Sequence, residues 1–352
     1  MVLGQPLGGP RLRDTWARKE TVALSPRRSI YAEARKALVV SGAALEVRAL
    51  TLTNTSFDPR FGRPRTLIFG VGAAKCGTSW LNALLRSHPE IHVAHQRELH
   101  YWDVVRPPFN DKPKNHARAH LDTLERLPLW RRLARAPALR YYRAAARMRE
   151  TPDMRHSNYA DVLFSRYSDA PIVGEVTPAY ALLGAGTYAE MASLNEDCRF
   201  IFLMRDPVDR LHSGIRHDLR KSDDGAPITE ERVLAELKAR LAVRDEAAMA
   251  RAYYVRTLEN LEAAVSQEKI HYEFFEHLFR TESIERLFGF LGVDPVETDA
   301  SRKRNQGIST GAPISEAFRE LAVEELDHVY RFVRDRFGDR VPERWRISYE
   351  GS

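Results

Sequence analysis

The chain has 352 residues, of which 43% are hydrophobic and 29% are charged, so bulk disorder is excluded and an ordinary apolar core is expected. A formal net charge of +6, mainly from arginine, favours an anionic ligand or surface, but it does not choose among nucleic acid, acidic lipid, a phosphorylated cofactor and a sulfated product. Two cysteines exclude a disulfide framework, and no run approaches the roughly 20 apolar residues of a membrane span. We therefore expect a cytoplasmic protein in a reducing compartment.

The composition divides the chain into a main domain with two flanking segments. Residues 1–62 are rich in Arg, Pro and Gly and are predicted to be a partly ordered extension without an apolar leader segment. The main domain is predicted over residues 63–310, with a basic helical insertion at 104–160. Residues 311–352 are expected to form a C-terminal helical tail packed on that domain.

The first ordered unit of the main domain is predicted to be a strand, a glycine loop and a helix. "TLIFGVG", Thr66 to Gly72, is a short apolar run typical of a buried parallel strand. In the following "TSWLNALLRSHPEI", Trp80, Leu81, Leu84 and Leu85 share one helical face. The helix should end at His88, because a proline follows.

Further strands alternate with helical segments along the chain. Strands are predicted around Ile172–Glu175, at Arg199–Met204 and in "IHYEFF". This alternation indicates an α/β fold with a P-loop-like, doubly wound parallel sheet flanked by helices. Ligands of such sheets bind at the carboxyl ends of the strands, where the glycine-rich, arginine-containing and carboxylate-containing turns of this chain fall.

The insertion contains the basic stretch "LPLWRRLARAPALRYYRAAARMRE", in which Leu, Trp and Tyr are interleaved with arginine. An anionic membrane surface and an acidic acceptor are two candidate partners for it. The plainer expectation is a solvated helix that packs its apolar stripe on the domain.

The glycine loop departs from a Walker A motif, GxxxxGK[ST], in the position of its lysine. Gly72 and Gly77 keep the spacing of the two glycines, but Thr78 occupies the position of the lysine, and Lys75 lies inside the loop. The amides of Gly77, Thr78, Ser79 and Trp80 at a helix N-terminus still predict an anion site. The usual apparatus for a triphosphate with magnesium is missing.

A second anion site is predicted after the strand "FIFLM". A Walker B strand should deliver an acid for the metal, whereas this strand is followed first by Arg205 and then by Asp206. In "RDPVDRLHS", Arg205 and Ser213 offer charge and a hydroxyl to a second phosphate. An internal salt bridge of Arg205 or Asp206 is the plainer alternative.

The two motifs together resemble those of the sulfotransferases that use 3′-phosphoadenylyl sulfate (PAPS). "AAKCGTSWL" and "RDPVDRLHS", with "EVTPAY" between them, are similar to the two phosphate-binding motifs of that family and the segment that separates them. The resemblance extends to "FLGVDP" and to "RKRNQG", where Arg304, Asn305 and Gly307 are expected to close over the nucleotide.

Within that family, "RELHYWD" resembles the branch that sulfates glycans, of the heparan sulfate type. The resemblance implies that Glu98 is the general base, with a pKa raised by burial, and that His100 and Asp103 support it or contact the substrate. An exposed Glu98 paired with Arg97 or His100 is the plainer alternative. Glu175 and Thr177 are expected to line the acceptor site, and Val176 replaces the branch's usual lysine, which weighs against a heavily anionic glycosaminoglycan.

The expected reaction is direct in-line transfer of a sulfuryl group from PAPS, without a metal and with PAP as the product. The expected acceptor is a hydroxyl or amine, with a carbohydrate or glycolipid favoured and a small natural product or a peptide tyrosine left open as alternatives. Lys75 would neutralise charge on the leaving group, while Arg205 and Ser213 would hold the 3′-phosphate. Two alternatives stay open: a P-loop small-molecule kinase that uses ATP and magnesium, and a non-enzymatic basic protein that binds nucleic acid, for which no recognised motif is present.

Overall fold

The computed structural model of the chain describes residues 57–106, 116–222, 225–245, 249–296 and 314–350. Their centre is a parallel sheet of five strands in the order β2-β3-β1-β4-β5. The predicted α/β class with a P-loop-like parallel sheet is thereby confirmed. The strands are β1 Thr66–Gly72, β2 Ile91–Val93, β3 Ile172–Val176, β4 Cys198–Met204 and β5 Ile270–Phe274.

The central strand β1 is buried along its whole length, as its unbroken apolar sequence predicts. It has a parallel neighbour on each side, so that Leu67 lies opposite Val173 of β3 and Cys198 of β4. Because all five strands run in one direction, the loops that follow them emerge at the same edge of the sheet.

Helices flank this sheet. Those described are α1 Thr78–Ser87, α2 Trp102–Val105, α3 His116–Glu125, α4 Leu129–Ala134, α5 Ala136–Glu150, α6 Ser157–Leu163, α7 Ala185–Ala192, α8 Pro207–Lys221, α9 Glu230–Ala242, α10 Tyr254–Ala264, α11 Thr281–Leu291, α12 Glu316–Phe337 and α13 Glu343–Glu350. Short 3-10 turns join some of them, at Pro59–Gly62, Pro178–Leu182, Ala250–Ala252, Gln267–Lys269 and Gly338–Arg340. None of these elements has the length and apolarity that a membrane crossing requires.

The basic stretch of the insertion differs from the single packed helix that its sequence suggests. It forms two helices, α4 and α5, which meet at Arg135, and Pro137 in the first turn of α5 cannot continue the hydrogen bonding of α4. The expectation that its apolar stripe packs on the domain is wrong for α4, because Leu129, Trp130 and Leu133 are 65–69% exposed.

The C-terminal helices pack against the start of α8. Trp345 of α13 is fully buried, and the Tyr330 hydroxyl of α12 donates to the Asp206 carboxylate at 2.9 Å. Residues 314–350 therefore support the element that carries the second predicted anion site.

The contact between β1 and β3 gives a first test of the fold. A Cβ added at Gly174 would lie 2.1 Å from the Ile68 carbonyl oxygen of β1. We therefore expect Gly174→Ala to lower the free energy of unfolding by at least about 3 kcal/mol, measured by urea denaturation.

Gly289 provides the matched control for that substitution. It lies inside α11, and a Cβ there would meet no atom within 4 Å. Gly289→Ala should leave the stability unchanged or raise it by up to about 1 kcal/mol, because alanine favours helix. Equal stability of the wild type and Gly174→Ala would contradict the described pairing of β1 with β3.

Candidate functional site

The loop between β1 and α1 presents free amides at the carboxyl edge of the sheet. The Ala73 N–H donates to the Leu203 carbonyl of β4 at 2.7 Å, which fixes the start of the loop. At its end, the amides of Gly77, Thr78 and Ser79 have no acceptor among the described residues, because the first amides of a helix have no partner within the helix. The predicted Trp80 amide is different, because it already donates to the Gly77 carbonyl at 2.9 Å. The anion site therefore has three free amides.

Gly77 is required at the turn into α1. Its φ of 90° lies in the left-handed region, and a Cβ would stand 2.5 Å from Leu278 and 3.0 Å from Phe275. Glycine therefore lets the loop enter the helix beneath these side chains. The spacing from Gly72 to Gly77 that suggested a phosphate loop thus has a packing cause as well.

Lys75 stands in a region with an excess of positive charge. The pKa of its ammonium is lowered by partial burial and further by the charges of Arg220, Arg210 and Arg205. Neither Lys75, Arg210 nor Arg220 forms an ion pair with a residue in the described ranges. Concentrated, uncompensated positive charge beside free amides is suited to an anion with several charges.

The second predicted site lies where β4 runs into α8. The Arg205 guanidinium stacks over the Phe275 ring at 4.8 Å and approaches the Asp209 carboxylate at 3.4 Å. Its Nε is buried and has no acceptor within the described part of the chain. Ser213 lies one turn beyond Asp209 on the same face of α8 and is partly exposed. The unused buried donor of Arg205, followed along α8 by a partly exposed hydroxyl, fits a phosphate group.

Asp206 is a helix cap and forms no salt bridge among the described residues, so the alternative of an internal salt bridge is wrong for Asp206 and holds for Arg205. Its carboxylate accepts hydrogen bonds from the Val208 and Asp209 amides and caps α8. Burial and the neighbouring Asp209 raise the pKa of this carboxyl to about 6. The ion pair forms one turn later, where Arg205 and Arg344 contact Asp209.

Two residues that were not predicted from the sequence connect the two phosphate motifs. Arg210 is 3% exposed, and its Nε donates to the Ala74 carbonyl in the first loop at 3.2 Å. The Tyr254 hydroxyl donates to the Arg205 carbonyl at 2.8 Å and lies 3.6 Å from the Cys76 sulfur. Arg210 falls within the quoted second motif, but nothing in the sequence singles out Tyr254.

Cys76 is a packing residue of the loop. It is fully buried, and burial raises the pKa of its thiol to about 11. The thiol is therefore protonated and unreactive near neutral pH.

A charged cluster follows β2 at Glu98, His100 and Asp103. The His100 ring lies between the two carboxylates, with Nδ1 2.7 Å from Asp103 and Nε2 3.2 Å from Glu98. Burial opposes the charged ring, but the hydrogen bonds to both carboxylates prevail and raise the His100 pKa to about 9. His100 is therefore an imidazolium at neutral pH.

The pKa of Glu98 moves in the direction opposite to the one expected. Burial alone would raise it, but the hydrogen bond and charge of His100, with help from Arg97 and Lys221, lower it below its usual value. The expectation of a raised pKa is therefore wrong, because it did not include the imidazolium. Glu98 is a carboxylate over the whole neutral range and can accept a proton.

Glu175 and Thr177 were expected to line the acceptor site, but both are buried and do not line an open site. Glu175 is 2% exposed and accepts hydrogen bonds from three buried hydroxyls, those of Thr177 at 2.7 Å, Tyr159 at 2.5 Å and Tyr180 at 3.0 Å. Burial raises its pKa to about 6 despite these bonds. With its oxygens occupied by these hydroxyls, Glu175 forms the centre of a buried polar network.

This network holds the segment that carries Glu98. The Leu99 amide donates to the Thr177 hydroxyl at 3.1 Å, and the Tyr101 amide donates to the Tyr180 hydroxyl at 3.0 Å. From the other side, Arg149 of α5 donates to the Leu99 carbonyl at 2.7 Å and to the Glu98 carbonyl at 3.3 Å. The backbone from Glu98 to Tyr101 is thereby fixed.

The end of α8 brings Glu98 and Lys75 to one region of the surface. Lys221 is near enough to Glu98 to lower its pKa. His217, one turn earlier, has its pKa lowered by burial and then by the charges of Lys75 and Lys221. Residues that follow β1, β2 and β4 thus lie at the same edge of the sheet, as parallel strands predict.

Three of the predicted site residues lie outside the described residues. Arg304, Asn305 and Gly307 belong to the segment 297–313, which is not among the described residues. Within the ranges that are described, no group of three or more His, Cys, Asp or Glu side chains is arranged to hold a metal ion.

Comparison with known proteins identifies a family and a fold. A family model described as "Sulfotransferase family" matches residues 67–297. A sulfotransferase structure from Alicyclobacillus acidocaldarius is 21% identical, with 81% of this chain and 99% of that chain covered and a TM-score of 0.54. That likeness shows a shared fold. No curated protein sequence matches the chain.

Two further solved structures show more remote likenesses. The sulfotransferase domain of the Synechococcus PCC 7002 olefin synthase is 16% identical, with 75% of this chain and 95% of that chain covered and a TM-score of 0.42. A mouse sulfotransferase complexed with PAP is 14% identical, with 85% of this chain and 92% of that chain covered and a TM-score of 0.35.

The raised pKa of His100 predicts how stability depends on pH. Because the folded-state pKa of about 9 exceeds the ordinary value of 6.5, the ring's contribution is complete below pH 6.5 and is lost as pH rises toward 9. We expect the free energy of unfolding of the wild type to exceed that of His100→Gln by about 2 kcal/mol at pH 6. This difference should shrink as the pH rises toward 9.

Urea denaturation of both proteins across this pH range measures that difference. The partly exposed His277, whose pKa is lowered by burial and by Arg280, supplies the control, since His277→Gln should not reproduce the decline. A difference between the wild type and His100→Gln that stays constant from pH 6 to about 9 would show that the ring is not charged in the folded state.

Proposed function

The chain belongs to the sulfotransferase family, and from that membership we propose that it transfers the sulfuryl group of PAPS to a hydroxyl or amine of a small-molecule, carbohydrate or glycolipid acceptor. The observation that carries the proposal is the cluster of Lys75, Arg205, Arg210 and Arg220 beside the free amides of the first loop. Of these four cations only Arg205 pairs with an acid among the described residues, and the excess of positive charge fits a nucleotide with two separate phosphate positions.

The residues present fit such a nucleotide. The amides of Gly77, Thr78 and Ser79, together with Lys75, would hold the 5′-phosphate, and the hydroxyls of Thr78 and Ser79 lie at the same helix terminus. Arg205, whose buried Nε lacks an acceptor among the described residues, would hold the 3′-phosphate together with Ser213. By the family resemblance, Arg304, Asn305 and Gly307 would complete the nucleotide site.

Glu98 accepts the acceptor's proton in this proposal. When bound, the nucleotide supplies the sulfuryl group, which forms a bond to the acceptor oxygen or nitrogen as its bond to the phosphate oxygen breaks. Glu98 is ionised and is flanked by Arg97 and His100, whereas His100 is protonated at neutral pH and has no free lone pair for that role. His100 and Asp103 therefore position the base.

Lys75 stabilises the leaving phosphate oxygen in this mechanism. Its lowered pKa comes from burial and from neighbouring arginines, so its ammonium is less well solvated than a surface lysine. A poorly solvated charge interacts more strongly with an anion that develops beside it. Glu175 and Thr177, which are buried, act by holding the segment around Glu98.

A carbohydrate or glycolipid is the acceptor class that "RELHYWD" favours, through its resemblance to the glycan branch. Val176 replaces the lysine of that branch, and its side chain is buried in β3 against Gly70. The absence of a cation at this position favours a neutral sugar over a heavily sulfated chain. Incubation of the protein with labelled PAPS and pools of glycans, glycolipids, phenols and peptides tests this choice directly.

The two phosphate motifs should separate turnover from binding. We expect Lys75→Ala to lower kcat by at least about 100-fold with a much smaller loss of PAP affinity, because the lysine acts mainly on the leaving group and three amides still hold the 5′-phosphate. Arg205→Ala should instead weaken PAP binding by about tenfold or more, because it removes a charge-assisted contact. Calorimetry with PAP and initial rates with PAPS give the two numbers.

The exposed Arg63 supplies a control for lost charge, since Arg63→Ala should change neither number. Indistinguishable behaviour of Lys75→Ala and Arg205→Ala would refute the division of labour. Phosphoryl transfer from ATP with magnesium, without transfer from PAPS, would refute the proposed reaction.

The proposed base has its own test. Glu98→Gln should lower kcat by roughly 100-fold or more while leaving the Kd for PAP unchanged, because it removes a proton acceptor and not a nucleotide contact. Glu90→Gln, at an exposed glutamate that ends the loop before β2, is the matched control. Wild-type turnover in Glu98→Gln would assign the base to another residue.

A further inference from the structure

The helix α4 exposes a compact apolar face to solvent. Leu129, Trp130 and Leu133 are 69%, 65% and 68% exposed. Residues 129 and 133 are one turn apart and residue 130 adjoins both, so the three side chains share one face. We call this face, with the arginines around it, the α4 surface. Large apolar side chains that cluster outside a core mark an interaction site.

Positive charge surrounds this apolar face. Arg131 and Arg132 lie on either side of it on α4, and Arg126, Arg135 and Arg140 flank the helix in sequence. None of these five arginines forms an ion pair with any residue in the described ranges, whereas Arg118 and Arg143 nearby are paired with Glu150 and Glu125. The stretch from Arg126 to Arg149 contains eight arginines and no acidic residue.

The other segments of the chain carry charge of the same sign as this surface. Residues 1–56 contain nine Lys or Arg and four Asp or Glu, a net charge of +5. Residues 107–115 contain two lysines and one aspartate, a net charge of +1. A second copy would also bring arginines against arginines. Charge complementarity therefore favours a partner that is anionic and also accepts apolar side chains.

We propose that the α4 surface binds a membrane surface containing anionic lipid. Leu129, Trp130 and Leu133 enter the boundary between headgroups and acyl chains, while the surrounding arginines contact phosphate and carboxylate groups of the lipids. Tryptophan is suited to that boundary because its ring is apolar and its N–H is polar. Nucleic acid or an acidic glycan would use the arginines but would leave the leucines without a partner.

Vesicle sedimentation with the full chain tests this inference. The wild type should bind phosphatidylcholine vesicles that contain phosphatidylserine and should bind pure phosphatidylcholine vesicles far more weakly. A variant with Leu129→Ser, Trp130→Ser and Leu133→Ser should partition about tenfold more weakly. A variant with Arg131→Gln, Arg132→Gln and Arg135→Gln should partition roughly 100-fold more weakly, and added salt should weaken the wild type.

A matched control replaces exposed apolar residues elsewhere. Met154 and Val243 are 86% and 75% exposed, and Met154→Ser with Val243→Ser should bind vesicles as the wild type does. All the substituted side chains are largely at the surface, and circular dichroism melting verifies that each variant is folded. Sulfate transfer to a soluble acceptor should be unchanged in every variant, so this test is independent of the proposed reaction.

Three results would overturn the inference. The first is equal binding of the wild type to vesicles with and without phosphatidylserine. The second is that the variant with Leu129→Ser, Trp130→Ser and Leu133→Ser binds vesicles as strongly as the wild type and also binds heparin or RNA. That result would identify the arginines as a site for an anionic polymer. The third is a wild-type dimer that the same variant converts to a monomer, which would show that a second copy covers the α4 surface.

Discussion

The burial of β1 between two parallel strands determines where the functional groups of the described residues lie. Its seven residues are buried, and it has hydrogen-bonded neighbours on both edges, so the strand offers groups to a ligand through the loop at its carboxyl end. Because β2, β3 and β4 run parallel to it, the loops after these strands emerge beside that loop. Lys75, Glu98 and Arg205 come from distant parts of the chain and lie at the same edge of the sheet for this reason.

Two opposite electrostatic arrangements stand next to each other at this edge. Around the first loop, Lys75, Arg210 and Arg220 form no ion pair among the described residues, and this excess of positive charge favours a multiply charged anion. At the end of β2, by contrast, His100 is enclosed by two carboxylates and stays charged. Buried groups that are already satisfied, such as Arg149 and the Glu175 network, keep both arrangements in place.

The fold and the positions of the motifs could be predicted from the sequence, but most of the side-chain chemistry could not. The strand β1 and the helix α1 are local patterns of apolar residues, and both formed as expected. The lowered pKa of Glu98 depends on the charge of His100, which in turn depends on Asp103, and the roles of Tyr254 and Tyr180 come from contacts 49 and 79 residues away in sequence. Spacing along a chain carries no information on such contacts. The exposure of α4 escaped prediction for the same reason, since an amphipathic sequence shows which residues share a face but not what that face meets.

The burial of both cysteines has a practical consequence for experiments on this protein. Cys76 and Cys198 are the chain's two thiols, both are at most 1% exposed, and burial raises both of their pKa values. Maleimides and iodoacetamides react with the accessible thiolate, so the native protein should remain unlabelled under mild conditions. A single cysteine placed on the exterior would therefore carry a fluorophore or spin label specifically, with no need to remove the native residues that pack the first loop and β4.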